Sequence, residues 1–162
     1  MGLPGGGRTL PTTRLLRHFN LIYIPPFSSE NLFRIFSKIL ESAFTSYPES
    51  WKTAIRAVTR LSIALYERAV QVLLPLPAKS HYSFNLRQIS ELVQGLTLVP
   101  SKKVTAVSDD KNQMSLLMRL WVHESLRVFS DRLVNEEDKQ VFTQCLKETV
   151  EEDTQQARYL FI

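Results

Sequence analysis

Three arginines in this chain stand where a guanidinium group could bind a phosphate. Arg14 and Arg17 are three residues apart in the segment TRLLRHFN, residues 13–20, so a helix would place them on one face. Arg87 falls in the first turn of a helix that Asn85 is expected to cap. A cation at this end of a helix opposes the helix dipole, which favours an anion as its partner. For Arg14 and Arg17, an ordinary pair of surface arginines is the alternative that their spacing alone favours.

The glycine-rich start also matches a phosphate-binding pattern. Residues 2–9, GLPGGGRT, fit G-x-x-x-x-G-K-[ST] except that Arg8 replaces the lysine. Such a loop needs a strand before it and a helix that opens within it. No strand precedes the motif in the sequence, and Pro11 interrupts the expected helix. We therefore interpret this segment as an irregular loop.

The other residue types that could do chemistry lack the spacing for it. The single cysteine, Cys145, falls on a helical apolar stripe, and no G-x-S-x-G motif occurs. His123-Glu124 lacks the second histidine that a zinc protease helix requires. The sequence therefore predicts no metal site and no nucleophile. Three histidines are interpreted as structural or surface residues: His18, His81 and His123.

Positive charge is concentrated in the first half of the chain. Residues 1–80 contain ten lysines and arginines against four acidic residues, whereas residues 81–162 contain ten against twelve. A basic surface could meet phosphate or an acidic partner, although charge alone favours an ordinary solvated surface. Trp51 and Trp121 fall on apolar stripes, and no basic helix carries interleaved exposed aromatic residues. Nucleic-acid binding is therefore not predicted.

Length and composition indicate one globular domain. The chain has 162 residues, of which 44% are hydrophobic and 22% are charged. One cysteine excludes an internal disulfide and indicates a reducing compartment. No apolar run approaches the length of about eighteen residues that suggests a membrane span, and the start lacks the apolar section of a secretory signal. We expect a soluble intracellular protein without a membrane partner.

The elements that must position these residues are predicted to be mainly helical. The apolar run NLIYI, residues 20–24, predicts one short buried strand, although no second strand is found to pair with it. A polar stretch, residues 101–112, predicts an exposed connection. Apolar periodicity predicts five helices, at about residues 28–47, 50–74, 86–98 and 113–133, and from 135 onward.

Four blocks of sequence, in this order and spacing, resemble dynein heavy chains at the back end of the third AAA+ module of the motor ring. The glycine-rich opening and the PAKSHY segment resemble the axonemal branch rather than the cytoplasmic one. The blocks are GGGR at residues 5–8, TRLLRHFN at 13–20, LPLPAKSHYSFNLR at 74–87, and RLWVHE with RVFSDRLV at 119–134.

The resemblance implies a fragment with a helical AAA+ lid, preceded by a loop and one orphan strand from a truncated αβ core. Residues 1–27 would be the C-terminal remnant of the large αβ subdomain, and residues 28–100 the helical lid. Residues 101–162 would supply an exposed connection and two further lid or linker helices. The phosphate loop and the Mg-binding strand of the module would lie upstream.

The resemblance also implies roles for the three arginines. Arg17 matches the arginine finger that reaches nucleotide bound by a neighbouring module, with Arg14 as the second candidate. Arg87 matches the lid arginine that senses the γ-phosphate in its own module. The family usually has aspartate after this arginine, whereas this chain has Gln88, so a local partner of Arg87 could be lost.

The resemblance implies that the chain contributes to ATP-dependent movement along microtubules in the axoneme of a cilium or flagellum. The implied partners are neighbouring AAA+ modules and, through the full complex, microtubules and dynein intermediate and light chains. ATP or ADP with Mg would be bound in the intact ring, whereas the isolated chain is expected to bind no cofactor and to hydrolyse no ATP. The alternative is a free-standing helical interaction module without a nucleotide role.

Overall fold

A computed structural model describes residues 9, 11–106 and 109–160, and these residues form a helical bundle without a β-strand. One isolated bridge joins Leu76 and Lys79 in a turn. Within the described ranges, no helix combines the length and apolarity needed to cross a membrane. The helices are α1 (Thr13–Leu16), α2 (Ser29–Ala43), a 3₁₀ turn (Phe44–Ser46), α3 (Glu49–Val72), α4 (Leu86–Thr97), α5 (Ser101–Thr105), α6 (Asp110–Ser125), a π turn (Leu126–Ser130) and α7 (Glu136–Leu160).

Helices α2 and α3 form an antiparallel pair that begins the core. The Ser28 hydroxyl caps α2 by accepting from the backbone N–H of Asn31. Leu32, Phe36 and Leu40 recur every four residues and form the buried face of α2. The 24 residues of α3 are the centre of the bundle, because α3 packs against α2, α4, α6 and α7.

Both tryptophans lie in this core, which confirms the prediction from their apolar stripes. Trp51 and Trp121 are fully buried. The indole N–H of Trp51 donates to the carbonyl of Gln113 at 3.0 Å, and that of Trp121 donates to the hydroxyl of Ser62 at 2.9 Å. The two indoles therefore tie α3 to α6, with their polar atoms satisfied.

The stretch expected to be an exposed connection contains a short helix, α5. It follows Pro100, and the side chain of Val104 is fully buried. A single valine in a polar stretch produces no periodic pattern, so its burial could not be inferred from spacing. Helix α6 also begins before the predicted position, because the Asp109 carboxylate caps it by accepting from the N–H of Lys111 at 3.1 Å.

The single helix predicted over residues 113–133 changes pitch after Ser125. Residues Leu126–Ser130 form a π turn, in which the N–H of Asp131 donates to the carbonyl of Leu126 at 3.1 Å. Consecutive residues Val128 and Phe129 are both buried. Helix α7 starts directly after Asn135, as predicted, and buries Phe142 and Leu146.

The strand expected over residues 20–24 is not formed, and its expected burial is corrected by the structure. The exposed fractions of Leu21, Ile22, Tyr23 and Ile24 are 68%, 84%, 72% and 82%. A strand needs a neighbour to satisfy its backbone N–H and C=O groups, and the described part of the chain contains no other strand.

Candidate functional site

Arg87 lies in the first turn of α4, as its sequence position predicted, and its side chain is exposed. Its backbone N–H donates to Asn85 Oδ1 at 2.9 Å. The backbone N–H of Asn85 in turn donates to Gln88 Oε1 at 2.8 Å, which completes a capping box. Among the described residues, no hydrogen bond or ion pair occupies the guanidinium of Arg87. The site therefore presents a cation on a fixed backbone, free to bind an anion.

The side chain of Gln88 stabilises the start of α4 and does not contact the guanidinium of Arg87. Its side chain is only 6% exposed and binds the backbone of Asn85 rather than the guanidinium of Arg87. Gln88 therefore anchors the start of α4.

The loop that leads into α4 is bound to the start of α7 by three polar side chains. Lys79 Nζ lies 2.5 Å from Asp138 Oδ2, and the Tyr82 hydroxyl donates to the same oxygen at 2.8 Å. These two hydrogen bonds hold the pKa of the Asp138 carboxyl below its ordinary value, because they stabilise the charged form. The bond to Asp138 also raises the pKa of Lys79 above its ordinary value. Sequence reasoning missed this cluster, since Lys79 and Asp138 are 59 residues apart.

Arg14 lies in the short helix α1, and Arg17 caps the end of this helix. Both side chains are exposed, and no residue of α1 is buried. Arg17 keeps right-handed helical dihedral angles of φ −60° and ψ −17°, so the two side chains remain about one turn apart. Arg17 Nε donates to the ring of His18 at 3.2 Å. No other described residue forms a hydrogen bond or ion pair with either guanidinium.

A buried carboxylate, Glu124, lies where α4 crosses α6. It accepts from Arg127 Nη2 at 2.7 Å and Nε at 2.8 Å, and its other oxygen lies 3.2 Å from His123 Nδ1. A Cβ atom built on Gly95 of α4 would lie 2.0 Å from Glu124 Oε2. A larger residue at position 95 would force the Glu124 side chain to move, because the carboxylate packs against bare backbone.

The remaining chemistry-bearing residues do not assemble into a site. In the portion of the chain that the structure describes, no group of three or more histidine, cysteine, aspartate or glutamate side chains could bind a metal. Burial and the nearby Glu148 raise the pKa of the Cys145 thiol, which keeps it protonated and unreactive. The glycine-rich motif lies outside the described residues except for Thr9.

Known proteins match this chain over most of its length. Residues 35–139 match the family model described as the dynein heavy chain ATPase lid domain. The chain is 42% identical to human dynein axonemal heavy chain 1 over 94% of its own length, and 38% identical to human dynein axonemal heavy chain 12 over 94%. It is 40% identical to human dynein axonemal heavy chain 3 over 92%. It spans only 4% to 5% of the length of these relatives.

Proposed function

The chain belongs to the axonemal branch of the dynein heavy chain family, a cytoskeletal family of the cilium and flagellum, and from this premise we propose that it forms the helical lid of the third AAA+ module of a motor ring. One observation carries the proposal. The range that matches the lid family, residues 35–139, nearly coincides with the buried core, which runs from Leu32 to Leu146. In the intact ring, this lid would couple ATP hydrolysis to movement along microtubules.

We further propose that residues 1–27 belong to the large subdomain of the same module. Among described residues up to 27, none is buried against the bundle, and the apolar side chains at 21–24 remain exposed. A large αβ subdomain would cover them. Residues 28–100 form the first part of the lid, and the helices within 101–162 complete it, because α6 and α7 pack on α3.

Arg87 is proposed to sense the γ-phosphate of ATP bound by its own module. Its guanidinium is exposed and has no acidic partner among the described residues, and its backbone is fixed by the Asn85 and Gln88 capping box. A guanidinium binds phosphate through paired hydrogen bonds. The phosphate would also offset the unfavourable position of this cation at the positive end of α4.

Arg17 is proposed as the arginine finger that reaches nucleotide bound by a neighbouring module, with Arg14 as the second candidate. Both side chains are exposed and lie outside the packed core, where a second module could meet them. A guanidinium supplied from outside a nucleotide pocket stabilises charge on the phosphoryl group during transfer. Because no residue of α1 is buried, this segment suits a contact made between modules.

The cofactor of the intact ring is proposed to be ATP or ADP with Mg²⁺, and the described residues fit only the phosphate groups of such a ligand. Arg87 and Arg17 supply phosphate-binding donors, whereas the isolated chain is expected to bind no nucleotide and to hydrolyse none. The direct partners would be the neighbouring AAA+ modules. Microtubules and the intermediate and light chains would be met through the complete complex.

Two arginine variants in a complete heavy chain that contains this sequence test the proposal. Arg17→Ala is expected to lower ATP turnover at the site that it serves by about 10³-fold or more. Arg87→Ala is expected to lower turnover in its own module. Arg34→Ala is the matched control, because Arg34 is also exposed and lies on α2 within the lid. Turnover that is unchanged in both test variants would instead favour a helical interaction module without a nucleotide role.

A further inference from the structure

One carboxylate oxygen joins the loop before α4 to the first turn of α7. Asp138 Oδ2 accepts from Lys79 Nζ at 2.5 Å and from the Tyr82 hydroxyl at 2.8 Å. The ammonium group of Lys79 also lies over the ring of Tyr82, 5.4 Å from its centroid. Hydrogen bonds to a charged group are stronger than those between neutral groups. The three side chains therefore form one interaction site rather than three separate contacts.

The segment just before α7 forms further hydrogen bonds with the same loop. The Tyr82 hydroxyl accepts from the backbone N–H of Val134 at 3.0 Å, and Arg132 Nη2 donates to the carbonyl of His81 at 2.8 Å. The side chain of Tyr82 is only 3% exposed. Tyr82 is therefore a buried anchor that has both a donor and an acceptor role filled by residues at the start of α7 or just before it.

Only four residues separate Tyr82 from Arg87, and they have little freedom to absorb movement. Phe84 packs on Phe129 with ring centroids 5.7 Å apart, and the guanidinium of Arg132 lies 5.4 Å from the Phe84 centroid. Asn85 already has extended backbone angles, φ −140° and ψ −179°. Asn85 therefore cannot take up a displacement of Tyr82 by lengthening, and the packing of Phe84 limits movement beside it.

We propose that Asp138 is a positioning residue for Arg87: by binding Lys79 and Tyr82, it fixes the start of α4 to the start of α7, so that Arg87 and α7 move together. The functional meaning of this inference rests on the proposed role of Arg87. The anchoring of α4 to α7 does not depend on that role. A nucleotide phosphate that draws Arg87 toward it would then displace α7, and a displacement of α7 would withdraw Arg87.

Amide hydrogen exchange in the present chain, measured by NMR residue by residue, tests the anchoring. Asp138→Ala is expected to accelerate exchange at the backbone amides of Arg87 and Gln88 about tenfold, because the capped first turn loses its support. Exchange at Leu92 and Leu96, which are buried deeper in the same helix, should not change. These two amides distinguish local release of the first turn from a loss of global stability.

Two further variants make the test specific. Tyr82→Phe removes the hydroxyl that binds Asp138 and should reproduce the effect of Asp138→Ala. Lys139→Gln breaks an exposed ion pair with Glu136 in the same turn of α7, and should leave the amides of Arg87 and Gln88 unchanged. Equal acceleration along the whole of α4, or none at Arg87, would overturn the proposal.

A second arm in the complete heavy chain separates this inference from the proposed function. Asp138→Ala should lower ATP turnover, and the double variant with Arg87→Ala should be no slower than Arg87→Ala alone, since both changes act through one group. Full additivity of the two losses would overturn the positioning role. If Arg87→Ala left turnover unchanged while the exchange result held, the function proposed for Arg87 would fail and the anchoring would stand.

Discussion

Two carboxylates fix the helix that carries Arg87, and each acts through residues far away in the sequence. Asp138 binds the loop before α4, and Glu124 lies against the backbone of Gly95 near the end of α4. Glu124 is buried, but Arg127 supplies two hydrogen bonds to it. A buried charge that is paired and hydrogen-bonded costs far less than an isolated one. The position of α4 therefore depends on polar side chains at both of its ends.

Gly95→Ala is expected to lower the free energy of unfolding by about 2 kcal/mol, because the new methyl group would overlap the carboxylate of Glu124. The result opposes the usual helix preference, in which alanine is favoured over glycine by about 1 kcal/mol. Urea denaturation followed by circular dichroism measures the change.

Gln94→Ala is the matched control for this substitution, since Gln94 is the exposed neighbour of Gly95 on the same helix. It should change stability by no more than about 0.5 kcal/mol. The double variant Gly95→Ala with Glu124→Ala should recover part of the loss. A Gly95→Ala variant as stable as the control would show that the Glu124 side chain can move aside at no cost.

The stabilisation that Asp138 provides is expected to depend on pH. Since the folded-state pKa of Asp138 is lowered from the ordinary value of 3.8, its contribution is present above that value and is lost as the pH falls below it. The charged group that faces it is Lys79, and the ammonium group of Lys79 also interacts with Glu137. Lys79, whose pKa is raised from 10.5, contributes below that pH and loses its contribution above it.

Melting temperatures of the parent chain and of Asp138→Asn, measured from pH 2.5 to 8, check this dependence. The difference between the two should be constant above about pH 5 and should shrink as the pH falls below about 4. Glu136→Gln, which removes an exposed carboxylate in the same turn of α7, should show a smaller difference at neutral pH. A gap between parent and Asp138→Asn that persisted unchanged at pH 2.5 would contradict the assignment.

At the scale of elements, local sequence signals predicted where most helices lie. The capping residues at the helix starts are the physical basis of these signals. Ser28, Asn85 and Asp109 each place a side-chain oxygen on the free N–H groups of a helix start. The π turn after Ser125 has no comparable signature. Val128 and Phe129 of this turn are both buried. The hydroxyl of Ser125, just before the turn, is buried without a partner among the described residues.

Asn85→Ala is expected to destabilise the chain by about 1 kcal/mol, because the cap of α4 and its reciprocal bond from Gln88 depend on this residue. Chemical denaturation gives the magnitude. Ser83→Ala, in the same loop and exposed, is the control and should be nearly neutral. Equal losses in the two variants would assign the effect to the loop rather than to the cap.

At the scale of the whole molecule, one core contrasts with an exposed apolar segment. The core extends from Leu32 to Leu146 and joins α2, α3, α4, α6 and α7. Residues 21–24 instead expose four apolar side chains in succession. Exposed apolar patches of this kind mark surfaces that another structure covers. The buried core therefore lies in the lid, whereas residues 21–24 remain outside it.

Removal of residues 1–27 is expected to leave the melting temperature within about 2 °C, because no described residue of this segment is buried. Light scattering should show reduced self-association, since the exposed apolar run is removed. Differential scanning calorimetry of the two chains gives the comparison. A truncated chain that melted many degrees lower would contradict the boundary proposed at residue 27.

The sequence by itself determined the helical class, the positions of most helices and the family. Apolar periodicity and capping residues act within a few positions of one another, so they can be read directly, and the burial of Trp51 and Trp121 followed from the same periodicity. The placement of Arg87 in the first turn of α4 was local as well. The roles of Arg14, Arg17 and Arg87 in nucleotide binding stay predictions.

Only the tertiary structure decided which distant residues meet. The bond between Tyr82 and Asp138 and the approach of Gly95 to Glu124 depend on how whole helices pack, and no local pattern encodes that register. Burial of Val104 depended on the same packing. Residues 20–24 show the converse: their composition favours a strand, but a strand forms only when a second one supplies its hydrogen bonds.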